Sequence, residues 1–378
     1  MAEKPEKNWH SLVKSGIAAL TSSAFIYGLY SSSPDLIEEY YSNGIFKYVA
    51  RAEGFLGDNL PFSTFEGLLM ASGAGISFYT SRGIFKLLKK TDPKKSKSKQ
   101  KKTSKLKSWR YKLFEGTFKY CTLIASEVLV LSFLGLANLN RVGFTEKSGL
   151  VKKEHEMNLE DLVNRINHKK EKIGEWKFDK KSLNEKLNLS LRDAYLSANK
   201  QDISGASKVK DPLFLPMREI GLGGLTFFSI DSLVDTEYED INSVWAMAHE
   251  KAHAKGYMRE TDAESLAYLA CIKSNDDVLE YCAYIHLLNL SLADLKQKDA
   301  SKAKRIYAKL NKDSRDELFD ICAGGRIKKE QLSSKIIRKY LDFILKIKGQ
   351  GGFTASYFSG PLRDMWLIDN AFSGRQLK

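Results

Sequence analysis

The sequence predicts a mainly α chain in two parts: three transmembrane helices within residues 1–140, then a mostly helical α+β domain over residues 141–378. Three observations carry this. Apolar residues make up 43% of the 378 residues, and before residue 140 they gather in three runs. Between the second and third runs lies a stretch dominated by lysine. After residue 141 the apolar residues instead recur at helical spacing among charges.

The three runs, at about residues 12–31, 65–87 and 118–139, each approach the length that an α-helix needs to cross a bilayer. In the first, residues 17–30 carry no charge, and no small-x-small cleavage site follows, so it reads as an uncleaved anchor rather than a signal peptide. The second is rich in Gly and Ser and carries Arg82 and Lys86 near its end. Its small residues Ala71 and Gly75 suit close helix packing. The third is the most apolar and holds one acid, Glu127. An intramembrane carboxylate is either a functional group, a partner for Arg82 or Lys86, or simply protonated.

Charge supplies the orientation. The formal net charge is +14, and residues 89–116 hold twelve basic side chains against two acidic ones. Residues 31–64 hold two basic and five acidic side chains. Positive-inside counting puts the N-terminus and the 89–116 loop in the cytoplasm, and three crossings then leave everything after residue 140 outside. The basic loop lacks the interleaved aromatics of a nucleic-acid platform, so no nucleic-acid partner is expected, whereas a lipid bilayer is. The four cysteines, Cys121, Cys271, Cys282 and Cys322, include no CxxC pair, so thiolate zinc and a disulfide framework are both disfavoured.

In the second part, Leu159, Leu162, Val163 and Ile166 mark a helix over 158–175, and Leu183, Leu187, Leu191 and Ala194 mark another over 182–200. Residues 203–216 are broken by Gly and Pro and read as loop. Residues 222–230, LGGLTFFSI, form the best strand candidate. Its two glycines suit either an edge that another backbone approaches or a buried turn. Further helices are predicted over 238–255, from 260 or 261 to 272, and over 275–295, 302–310, 314–323 and 330–347. Residues 349–378 give no period that places them.

The helix over 238–255 contains His249-Glu250-Lys251-Ala252-His253. Histidines four apart share one helical face, so both imidazoles reach one cation. The glutamate between them can hold a water beside that cation and take its proton, the arrangement of a zinc hydrolase. An ordinary amphipathic helix with two histidines is the plain alternative. Gly256, three residues on, suits a left-handed C-terminal cap. A catalytic zinc ion needs a third protein ligand, and Glu260, Asp262 and Glu264 are the near candidates. As a solvated helix start, all three acids would be favoured without a metal.

The spacing from His253 to Gly256 resembles the metzincin pattern HExxHxxGxxH, but Arg259 stands where the third histidine belongs. The next stretch, Glu260-Thr-Asp-Ala263-Glu264, resembles the ExxA[D/N] element of glutamate-ligand zinc peptidases, the gluzincins. That resemblance implies Glu260 as the third metal ligand and Glu264 as a group supporting a histidine or the turn. Position 264 is usually Asp or Asn in that pattern. Over most of its length the chain also resembles a bacterial membrane-protein family, domain of unknown function 3810. The likeness rests on PDLIEEYYSNG at 34–44, LPFSTF at 60–65, LANLNR at 136–141 and HEKAHAKGYMRETDAESLAYLAC at 249–271. It implies a multi-pass protein of the bacterial inner membrane with a zincin-like domain in the periplasm or outside the cell.

Together these readings lead to the expectation of a membrane-anchored zinc endopeptidase acting on extracytoplasmic or envelope proteins. Zn2+ would be held by His249, His253 and Glu260, with Glu250 as general base. Tyr257, Tyr281, Tyr284 and His286 are all candidates for the oxyanion donor. The alternative is a non-catalytic zinc-binding sensor or interaction module, which would not require Glu250. The sequence carries no signal for oligomeric state or for which protein is cut.

Overall fold

Between the first two apolar runs, where the sequence marks no element, the chain is helical. In the computed structural model, which describes residues 28, 33–90, 137–150, 158–203, 205–213, 231–236, 240–322 and 356–372, Pro34–Leu36 opens a turn capped by Ser33. The turn widens into a π-helical stretch, Ile37–Phe46, and continues as α1, Lys47–Asn59. Thr64–Lys90 forms α2, whose N-terminus is held by Asp231, with Oδ2 accepting from the Thr64 amide at 2.5 Å and its hydroxyl at 2.8 Å.

The second apolar run therefore does form a helix. At 27 residues and about 1.5 Å rise each it is long enough to cross a bilayer. Its sequence, with Glu66, Arg82 and Lys86 among glycines and serines, keeps it below the necessary apolarity. No described helix is both long and apolar enough to cross a membrane. The first and third runs, Glu127, the bulk of the basic loop, the strand candidate at 222–230 and the helix expected at 330–347 lie outside the described residues.

Within the described residues, the helices expected after residue 141 are present. Leu159–Ile173 (α3) is capped by Asn158 and buries Leu159, Leu162, Val163 and Ile166, the residues whose spacing predicts it. Lys180–Leu196 (α4) is capped by Asp179 and buries Leu183, Leu187, Leu191 and Ala194. Val209–Lys210 (β1) pairs in parallel with Ser232–Leu233 (β2), the only strands among the described residues. Then follow α5 (Ile241–Ala254), α6 (Glu260–Ile272), α7 (Asp277–Lys298), α8 (Ala300–Ala308) and α9 (Lys312–Cys322).

Residues 349–378, which show no usable period, contain a helix, α10, Ser356–Phe372. It packs on α6 and α7. Asp369 receives two bonds from the Arg165 guanidinium, at 2.9 and 2.7 Å, and one from the Tyr268 hydroxyl at 2.7 Å. Trp366 Nε1 donates to Ser291 Oγ at 3.0 Å.

The core does not stop at residue 141. Ile37, Tyr41, Phe46 and Ala50 belong to the same apolar cluster as α3 to α7 and α10. The inner face of α1 is made of small residues because backbone lies directly against it. A Cβ on Gly54 would fall 2.7 Å from the Gly205 carbonyl carbon, and one on Gly57 2.1 Å from Asp231 Oδ1. Asp58 then accepts the Ser207 and Lys208 amides at 2.9 and 3.0 Å.

A buried ion cluster makes the second attachment. Arg141 is 1% exposed. Its Nε and Nη2 donate to the two oxygens of Glu38, each at 2.9 Å, and Lys147 pairs with the same carboxylate. Burial alone would raise the Glu38 carboxyl, but the Arg141 and Lys147 cations bring it below the usual glutamate value.

A candidate metal centre between two buried helices

Helix α5 exists because its ends are well specified. Asp240 Oδ1 accepts the Ser243 amide at 2.9 Å, and alanine-rich turns follow. Gly256 closes the helix at φ +85°, the left-handed cap its position predicts. A Cβ there would lie 2.7 Å from the Phe46 ring, so residue 256 must be glycine on two counts. Arg141 Nη1 donates to the Lys255 carbonyl at 3.4 Å, placing a cation at the negative end of the helix. All fourteen residues of α5 are buried.

His249 and His253 project from one face of α5 towards the first turn of α6. Their rings meet edge to face, with Nε2 atoms 3.0 Å apart. Glu260 Oε2 is 3.1 Å from His249 Nε2, and Oε1 is 3.7 Å from His253 Nε2. These three residues are the described group whose ligand atoms all lie within 4.8 Å of one another. A tetrahedral zinc ion with ligand bonds of about 2.0–2.1 Å separates its ligand atoms by about 3.3 Å. The two Nε2 atoms, 3.0 Å apart, lie near that value, and each has a different Glu260 oxygen beside it, so the residues present could close around such an ion.

The far sides of both rings are engaged in ways that leave Nε2 for a cation. His253 Nδ1 donates to the Tyr257 carbonyl at 2.7 Å, which fixes its tautomer. His249 Nδ1 faces Glu264 Oε1 at 3.5 Å. Glu264 in turn reaches His286 Nε2 at 3.4 Å with its other oxygen, and the His286 ring stacks on Trp245 at 4.0 Å between centroids. Glu264 thus stands between His249 and His286. His286 is neither a ligand nor an ordinary core histidine: it completes a line from His249 through Glu264 to Trp245.

Electrostatics tell the same story. Burial alone would raise Glu260, but the hydrogen bond to His249 and the charges of both histidines pull it down to about 2. Burial would lower His249, but its bond to Glu260 and the charges of Glu264, Glu260 and Glu250 push it up to about 10. Glu260 and His249 thus favour their charged forms beside one another. A divalent cation there would displace the His249 proton.

Glu250 lies between the two histidines on α5 and is 4% exposed. Asp262 turns away: its Oδ1 accepts the Phe144 amide at 2.8 Å and its Oδ2 pairs with Arg259 Nε at 2.6 Å, so it anchors residues 141–147. The tyrosines considered as oxyanion donors point elsewhere. The Tyr257 hydroxyl bonds Asn199 at 3.0 Å, the Tyr281 hydroxyl bonds Ser314 at 3.2 Å, and the Tyr284 ring lies under the Arg165 guanidinium.

Spacing alone does not reveal the roles of His286 and Trp245. Their only sequence signal is an imidazole within the apolar middle of helix α7.

Among known proteins, the family described as "Protein of unknown function (DUF3810)" matches residues 41–359. No curated protein and no solved structure matches the chain.

Proposed function

The chain belongs to the DUF3810 family, and from that premise we propose that it is a membrane-anchored zinc endopeptidase cutting extracytoplasmic or envelope proteins. One observation carries the reading: one ligand atom from each of His249, His253 and Glu260 lies within 4.8 Å of the others, with a buried glutamate between the two histidines in the sequence. When bound, the ion would supply Lewis acidity to a water and to a peptide carbonyl. His249, His253 and Glu260 would hold it, and Glu264 would orient His249. Glu250 would take a proton from the attacking water and deliver it to the departing amine. Retention of a buried acid at position 250 favours an enzyme over a zinc-binding module, because binding alone has no use for it.

Parity constrains the membrane part of the reading. Residues 38–58 pack on residues 138–256, so both lie on one side of any membrane the chain crosses. An even number of crossings, zero included, must therefore separate them. The proposed arrangement has two, at 65–87 and 118–139, the first less apolar than an ordinary span, with the catalytic centre in the periplasm or outside the cell. Reporters fused within residues 40–60 and after residue 150 should then both report the outer side, and opposite signals from the two would exclude the arrangement.

The activity is tested on the full chain in detergent. Wild type is expected to carry about one zinc ion per chain, and Glu260→Ala to lose it. Glu250→Gln should retain the ion and fail to cleave a mixture of fluorescence-quenched peptides that wild type cleaves. Equal cleavage, or none, by both proteins would leave only the non-catalytic zinc module. Full zinc in Glu260→Ala would remove Glu260 from the site.

A further inference from the structure

The helix that joins the first two apolar runs is built the wrong way round for a surface helix. Its inner face is small: Ala50, Gly54 and Gly57 are buried. Its outer face is large and apolar. Ile45, Tyr48, Phe55 and Leu56 are 55%, 62%, 70% and 51% exposed. Their spacing of three, seven and one residues keeps them on one face of an α-helix. The stripe continues back through Tyr40 and Leu36, 64% and 50% exposed. Those steps of five and four residues follow the wider π-helical turn of Ile37–Phe46. A run of six large apolar side chains along one face is more than scattered surface apolarity, and such a patch marks a contact surface.

We propose that this stripe rests on the surface of a lipid bilayer, with its tyrosines at headgroup level and Phe55 and Leu56 below them. The inference depends on the membrane anchoring argued above, and three observations select lipid over a protein partner. The first apolar run ends near residue 31 and the second begins near 65, so both ends of the stripe are tied to apolar segments by short links. At no more than about 3.5 Å per residue, these hold Leu36 within roughly 20 Å of the first run and Leu56 within roughly 30 Å of the second. The domain occupies the opposite face of α1, through Gly54 and Gly57, leaving the stripe exposed. The composition, two tyrosines and a phenylalanine among Leu and Ile, is that of an interfacial helix rather than a polar-rimmed protein interface.

The test uses the full chain in vesicles of phosphatidylethanolamine and phosphatidylglycerol containing a phospholipid with a photoactivatable diazirine on its acyl chain. Lipid adducts are mapped by peptide mass spectrometry. Peptides covering residues 40–56 should be labelled several-fold above those carrying Leu189 and Phe319, apolar side chains equally exposed at 65% but on α4 and α9. A Phe55→Glu, Leu56→Glu variant should lose that labelling while keeping its zinc content, since neither side chain touches the core. Labelling of residues 65–87 with none on 40–56 would overturn the stripe and leave the anchoring intact. Photocrosslinks from 40–56 to a second copy of the chain would likewise replace lipid as the occupant. Labelling nowhere in the chain would remove both the anchoring and the stripe.

Discussion

Replacing Glu38 by Gln should destabilise the protein by about 3–5 kcal/mol, the usual cost of removing one partner from a buried ion pair. The Arg141 guanidinium has no exposed side-chain surface and receives both carboxylate oxygens of Glu38 at 2.9 Å. Glutamine keeps the shape but leaves the guanidinium buried without a counter-charge beside it. For a chain of this size the apparent melting temperature should fall by about 4–6 °C. Thermal unfolding in detergent at neutral pH reads this directly. A Glu38→Leu, Arg141→Met double variant should lose less than the single one, because no charge remains to be stranded. Acid provides a second check. The folded Glu38 carboxyl lies below its ordinary value of 4.5, so its stabilisation is present above that value and is lost as pH falls through the folded value. Wild type should therefore lose its advantage over Glu38→Gln below about pH 4.5. A melting temperature within about 2 °C of wild type at neutral pH would refute the reasoning, since the pair would then be worth no more than an exposed one.

Gly54→Ala should destabilise by about 1–3 kcal/mol, although alanine favours helix by about 1 kcal/mol, because the new methyl meets the Gly205–Ala206 backbone at 2.7–2.9 Å; a rise in melting temperature would contradict the close approach. Glu264→Gln should weaken zinc binding by about 10–100-fold in a chelator competition while leaving the melting profile of the metal-free protein little changed, and unchanged affinity would separate Glu264 from His249. A fragment covering 141–378 should show no cooperative unfolding by near-ultraviolet circular dichroism, since it lacks Glu38, Phe46 and the face of α1 that completes the core. A sharp transition in that fragment would make residues 34–59 an accessory rather than part of the fold.

The candidate metal triad is legible in the sequence because all its information is local. Two histidines four apart, a glycine that ends the helix and an acid opening the next one are fixed by helix geometry alone. The same holds for α3 and α4, whose buried residues are those picked out by period. What escapes is pairing at a distance. Gly54 and Gly57 look like weak helix formers until the Gly205–Ala206 backbone and Asp231 lie against them. Helix α10 sits in a glycine-rich stretch, and its docking depends on Arg165 and Tyr268, some hundred residues away and more. Asp262 and Glu264 are equivalent in sequence, yet one bonds the Phe144 amide and the other faces His249. His286 becomes informative only when α7 brings it beside Glu264.

The Ser207 position has a consequence of scale. Its amide is held by Asp58 from α1, and its carbonyl accepts the buried Lys251 Nζ of α5 at 2.7 Å. The Ser207 peptide, with the Asp58 and Lys251 side chains on either side, links α1 to the helix that carries the candidate metal triad. Two successive packing contacts of about 8–10 Å put the α5 axis no more than roughly 20 Å from the α1 axis. With the outer side of α1 on lipid, that distance becomes a ruler. A polypeptide leaving the bilayer spans it in about six extended residues at about 3.3 Å each. Cleavage of membrane-tethered chains would then fall at a fixed, short count of residues from the lipid boundary, and the scissile bond would be selected by its height as well as by its side chains.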